Sequence, residues 1–185
     1  MPTMNDPNHN PAAVLSNGFQ LAYTAMMPMS AHAADNEDAY TAIYSGDPGG
    51  TDKDFFYMKN SDDKYLRIYK IKVYCTADVE ITILTGVTGT PSNTTDVTPV
   101  NALVGSGASA HMLCYSRAGD LATSGGNTFD SLIYDAASNK EIVYDFPGEI
   151  ALKKNQTIAF NNVTDPNASI RMTVYFYFHE PVERP

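Results

Sequence analysis

Four histidines, His9, His32, His111 and His179, are the side chains in this sequence best suited to hold a metal or move a proton near neutral pH. They are far apart and fall in different segments. A zinc site needs convergent ligands, usually with a close pair such as H-x-H or C-x-x-C, and no such pair occurs. No metal and no cofactor is therefore expected. The acidic run DPGGTDKD at 47–54 superficially resembles a calcium loop. It lacks the D-x-[DN]-x-[DN]-G register and the terminal bidentate Glu, so it reads as a solvated Gly/Asp turn. Asp62-Asp63 reads as a loop between strands. The nucleophile motif G-x-S-x-G is missing, and Gly105-Ser106-Gly107 lacks the strand–turn–helix context of an elbow. A carboxylate pair for glycoside hydrolysis can be distant in sequence, but one small sandwich offers little groove for a polysaccharide. A non-enzymatic protein is expected.

Aromatic side chains are the remaining chemistry. Trp is absent, and 12 Tyr and 8 Phe supply the ring mass. Tyr175 and Tyr177, with Tyr74, fall on predicted outward strand faces and could stack on sugars. The plainer reading is a Tyr-rich sheet face packed against the N-terminal arm or a neighbouring subunit, since paired aromatics are common packing units on strands. Cys75 and Cys114 are expected to be reduced and buried, although two cysteines also allow a single disulfide. Four N-x-[ST] sequons, at Asn93, Asn155, Asn162 and Asn167, are near what a chain rich in Asn, Ser and Thr yields by chance.

The elements that must position these residues are strands. From Tyr65 to Thr85 the chain reads as a hairpin-like block. Its first half places Arg67, Tyr69, Ile71, Val73 and Cys75 on one face and Leu66, Ile68, Lys70, Lys72 and Tyr74 on the other. Such alternation, rich in Val, Ile and Tyr, marks half-buried antiparallel strands. Ser169–His179 is the clearest case, with Ile170, Met172, Val174, Phe176 and Phe178 on one face. Shorter strands are expected over Val97–Val104, His111–Ser116, Ser131–Asp135, Glu141–Phe146, Glu149–Leu152 and Gln156–Asn162. A short helix over Asp35–Tyr44 is also expected, with Asp35 as its cap. In all, about eight short strands predict an all-β fold: an antiparallel, jelly-roll-like sandwich. Residues 52–185 form the sandwich domain in this reading. Residues 1–51 form a largely irregular N-terminal arm, punctuated by Pro2, Pro7, Pro11 and Pro28 and closed by GDPGG at 46–50.

Charge narrows the partners. The chain of 185 residues carries a net charge of −9. Residues 1–52 hold six acids and no Lys or Arg. Nucleic acid is not expected as a partner, because phosphate binding draws on clustered Lys and Arg, and an anionic membrane surface is disfavoured for the same reason. No run is long and apolar enough to span a bilayer. Leu21–Ala33 ends in Ala-His-Ala but lacks a positive n-region and contains Pro28, so no signal peptide is expected.

One block carries a family resemblance. The run I-x-V-x-C-T-A-D-V-x-I-T-I-L-T-G (Ile71–Gly86), a Thr-rich loop, and Val97-Thr98-Pro99-Val100-Asn101 resemble small β-sandwich virion proteins of tailed bacteriophages. So do Leu152-Lys153-Lys154-Asn155-Gln156-Thr157 and the final aromatic strand Thr173–Glu180. The resemblance covers about residues 65–180, with 105–148 poorly matched, and the arm is outside it. It implies a capsid decoration (cement) protein on the outer surface of a phage head, or a fibre component, often trimeric. No catalytic residues follow from it. The major capsid protein and a second and third copy of the chain become the expected partners, with assembly in the host cytoplasm. Phe19, Tyr23, Tyr40, Tyr44, Phe55, Phe56 and Tyr57 are the expected anchors on the capsid or a neighbouring subunit, since aromatics dominate interface hot spots. In the alternative reading, a fibre knob binding host glycans, Tyr175 and Tyr177 face the sugar.

Overall fold

The computed structural model describes residues 13–14, 20–21, 33–34, 36–117, 120–138, 140–164 and 167–180. The fold is all-β. Strands β1 (Ala13–Val14) and β2 (Gln20–Leu21) pair only with each other. The sandwich is built from β3 (Ala39–Gly46), β4 (Lys53–Asn60), β5 (Tyr65–Cys75), β6 (Val79–Thr85), β7 (Thr95–Asp96), β8 (Val100–Asn101), β9 (Met112–Ser116), β10 (Asn127–Tyr134), β11 (Ile142–Leu152), β12 (Thr157–Asn162) and β13 (Ile170–His179). A six-stranded sheet runs in the order β10-β6-β12-β4-β9-β7, and a five-stranded sheet in the order β11-β5-β13-β3-β8. All pairings are antiparallel.

The two halves of the Tyr65–Thr85 block do not form a hairpin. β5 lies in the five-stranded sheet and β6 in the six-stranded one. The chain therefore arches across the core at 76–78, and the apolar faces of both strands turn inward toward each other. The same crossing recurs from β3 to β4, β4 to β5, and then through β10, β11, β12 and β13.

Bulges decide which residues face inward. On β5 the buried side chains are Leu66 and Ile68, then Ile71, Val73 and Cys75. The face switches because Tyr69 is an extra residue: Tyr175 of β13 lies opposite Lys70, while Phe176 lies opposite Ile68. One inserted residue exchanges the faces of everything beyond it, so the uniform alternation expected for β5 holds only past Tyr69. On β4, Phe56 is opposite Phe160 and Asp54 is opposite Asn161, which leaves Phe55 as the extra residue. Phe55 and Phe56 consequently both enter the core.

The helix expected over Asp35–Tyr44 is not formed. Ala39–Gly46 is strand β3, paired to β13 along its whole length, with Tyr40, Ala42 and Tyr44 pointing into the core. The period of two wins because the buried side chains at 40, 42 and 44 meet those of β13 and β4. The sandwich thus begins at Ala39, ahead of the boundary expected between residues 51 and 52. Glu141–Phe146 and Glu149–Leu152 are one strand, β11, interrupted by a bulge. The expected strand over 97–104 contracts to the two residues of β8.

Aromatic rings cross the core. Tyr44 of one sheet meets Phe55 of the other with centroids 4.6 Å apart, and Phe56 meets Phe160 at 5.8 Å. Each such buried side chain contributes roughly 1.5–3 kcal/mol by leaving water. Two smaller clusters cover the outer faces. Tyr57, Val87, Leu121 and Ala159 pack beneath the excursion between β6 and β10, and Ala33, Ala39 and Tyr177 pack at one end of the five-stranded sheet. The excursion is pinned at Gly126 (φ +98), where a Cβ would stand 2.7 Å from Val87 Cγ1, so only glycine fits there.

Candidate functional site

The aromatics expected to anchor a capsid fall into two groups. Phe19 and Tyr23 lie outside the described residues. Tyr40, Tyr44, Phe55, Phe56 and Tyr57 are all buried. They hold the sandwich together and have no surface to offer a partner. In sequence, a core aromatic on a strand and an exposed aromatic on an arm look alike, and only the pairing of β3 and β4 separates them. The charge reading changes with them. Of the six acids before residue 53, only Asp6 precedes residue 33. Glu37, Asp38, Asp47 and Asp52 sit on or beside the sandwich.

The expected glycan-facing pair also divides. Tyr177 is 1% exposed, packed against Ala33, Ala39 and Tyr69. Burial, and then its hydrogen bond to Glu149, push its phenol well above the usual range. It cannot stack on a sugar. Tyr175 is half-buried, with Lys70 and Lys72 ammonium groups 6.0 and 5.7 Å from its ring centroid. Those lysines pair with Asp145 of β11 and with Glu141 just before it, at 3.7 and 3.3 Å. The Tyr175 ring is thus flanked by ion pairs, each worth little in water.

Other candidate chemistry stays dispersed. Among the described residues, no group of three His, Cys, Asp or Glu side chains is placed to hold a metal ion. Asp47 accepts from the Gly49 N–H at 2.7 Å, as a tight turn requires. Asp54, at the other end of that run, is buried and accepts from Asn161 Nδ2 at 2.8 Å and from the Thr123 hydroxyl. The Asp62-Asp63 loop is a turn, with Asp62 N–H donating to Asn60 Oδ1 and Lys64 N–H to Asp62 Oδ1. Cys75 on β5 and Cys114 on β9 are free thiols, both buried. No helix among the described residues is long and apolar enough to cross a membrane.

Two features remain as candidate surfaces. The first is the excursion at β8, where Val100, Leu103 and Val104 are exposed, Val104 at 98%. It is tied to the body by Ala102 N–H donating to Ala39 O at 2.8 Å and by Asn101 Nδ2 donating to Glu37 O at 2.6 Å. The apolar side chains are therefore presented on a braced segment. Leu103 and Val104 carry no sequence signal of exposure, because they resemble the buried residues of a short strand. The second is an open cleft of about 380 Å³ between β10 and β11, with Phe129 on one wall and Glu149 on the other.

No protein-family model, curated protein or solved structure matches this chain.

Proposed function

We propose that this protein is a non-enzymatic structural component of a virion: a decoration protein that seats on the outer surface of a phage head and stabilises it, as a homotrimer. The observation that carries the reading is the strand order. The successive strands β3 to β6 and β10 to β13 alternate between sheets and give β11-β5-β13-β3 facing β10-β6-β12-β4. We read this as two interlocked Greek keys, a jelly roll, the architecture that recurs in viral capsid domains. A fold of this kind hosts several functions. The resemblance over 65–180 selects the virion among them.

The docking surface in this account is the β8 excursion. Val100, Leu103 and Val104 give an apolar centre, and Glu37 and Asp38 lie beside it as a polar rim, which is the anatomy of a non-obligate interface. The test is co-sedimentation with capsids that lack the protein. Val104→Asp and Leu103→Asp should each lower occupancy on capsids and leave the melting temperature unchanged, because neither side chain contributes to the core. Unchanged occupancy in both variants would count against this surface.

A second reading, a fibre knob that grips host glycans, is favoured by the β10/β11 cleft and not by Tyr175 and Tyr177.

A further inference from the structure

We propose that the cleft between β10 and β11 binds a neutral saccharide unit. This site is separate from the β8 excursion and does not depend on capsid docking.

Two bulges build it. In β10, Thr128 lies opposite Leu84 and Asp130 opposite Ile83, so Phe129 has no partner on β6. Phe129 is 51% exposed and lines the cleft. In β11, Asp145 lies opposite Lys70 and Ile150 opposite Ile68. Residues 146–149 thus loop out, and Glu149 takes a left-handed backbone, φ +54. A non-glycine residue there costs on the order of 1 kcal/mol or more, and such residues concentrate at binding sites. Bulges at sheet edges commonly re-aim side chains. Here they bring Phe129 and Glu149 to one cavity.

The carboxylate is held in place. Arg67 Nη1 donates to Glu149 Oε2 at 3.0 Å, and the Tyr177 hydroxyl donates to Oε1 at 2.5 Å. A carboxylate has about four acceptor sites, so each oxygen keeps a lone pair for a ligand hydroxyl. Gln156 Oε1 accepts from the Lys153 N–H at 2.9 Å, which leaves the amide nitrogen as a donor at the rim. The lining therefore combines one aromatic face, one fixed acceptor and one amide donor. That combination suits a sugar ring, which has an apolar C–H face and a belt of hydroxyls. A volume of about 380 Å³ is within the usual range for small-ligand sites.

Charge sets the class. Among the described residues lining the cleft Glu149 is the only charged one, and Arg67 already neutralises it. A sialic or uronic acid carboxylate would meet Glu149 without a free cation to offset it. Neutral pyranoses carry no such cost.

The test is saturation-transfer-difference NMR on the full chain. The probes are the methyl glycosides of glucose, galactose, mannose and N-acetylglucosamine, with N-acetylneuraminic acid as the anionic control. At least one neutral glycoside should show saturation transfer, strongest on ring C–H protons. Phe129→Ala should weaken its binding about tenfold or more with the melting temperature unchanged, and Phe129→Tyr should retain it. Capsid occupancy of Phe129→Ala should match the parent protein, which separates this site from docking. Absence of binding at millimolar glycoside, preference for the anionic control, or binding indifferent to Phe129→Ala would each overturn the proposal.

Discussion

Tyr177 and Glu149 are joined by a 2.5 Å hydrogen bond between strands β13 and β11, which flank β5 and do not pair with each other. The bond passes over Arg67, which lies opposite Tyr177 on one side and Ala151 on the other. It fixes the bulge of β11 to the sheet's centre. Tyr177→Phe should therefore destabilise the fold by about 1 kcal/mol, read by urea unfolding. A double-mutant cycle with Glu149→Gln should show coupling of about 0.5 kcal/mol or more. Strictly additive effects would mean that water replaces the hydroxyl without cost.

Stability should fall in alkali. Burial, followed by Asp47 for Tyr44 and Glu149 for Tyr177, raises both phenols above the usual 10.0, and burial raises Cys75 from 9.0 to about 12 and raises Cys114 also. Above pH 9 to 10 the unfolded chain releases protons that the folded chain still holds. The unfolded state then binds fewer protons, and the free energy of unfolding declines as pH rises. The stabilisation is complete below pH 9 and is lost progressively toward the raised values. Urea midpoints at pH 8, 9.5 and 10.5 should decrease in that order; a flat profile would contradict the burial of these groups.

Replacing Tyr44 or Phe56 by Ala should act on folding. Each removes a ring from the centre of the sandwich, where Tyr44 meets Phe55 and Phe56 meets Phe160. The expected loss is about 3–5 kcal/mol, measured by thermal or urea unfolding. A variant that keeps its melting temperature would show that these rings are not in the core.

The thiols should be silent in the native state. Cys75 and Cys114 are buried on strands of opposite sheets and unpaired. A thiol reagent should label neither in buffer and both in denaturant, and reductant should leave the melting temperature unchanged. Rapid labelling of the native protein would contradict their burial.

The strands with one buried face were legible. β13 appears within a residue of its expected bounds, since alternation survives wherever the opposite face stays partly wet. β4 was missed for a different reason. β4 is buried almost throughout, because Phe55 and Phe56 enter the core while Tyr57 packs under the excursion on the other face. Such a strand has no alternation to read. Bulges at Tyr69, Phe129 and the 146–149 stretch are similarly hidden, because an extra residue has no signature until its partner strand is known. Phe129 and Glu149 owe their placement to those bulges, so the cleft was invisible in the sequence. Tyr177 follows the plainer expectation, a Tyr-rich face packed against the N-terminal arm, since Ala33 and Ala39 cover it.

Whether this chain decorates a capsid is read from its copy number on the particle. Quantitative mass spectrometry of purified particles from the source should count the chain against the major capsid protein. A decoration protein should be present in a number comparable to that of the capsid protein. A count of only a few per particle, or absence from particles, would contradict it.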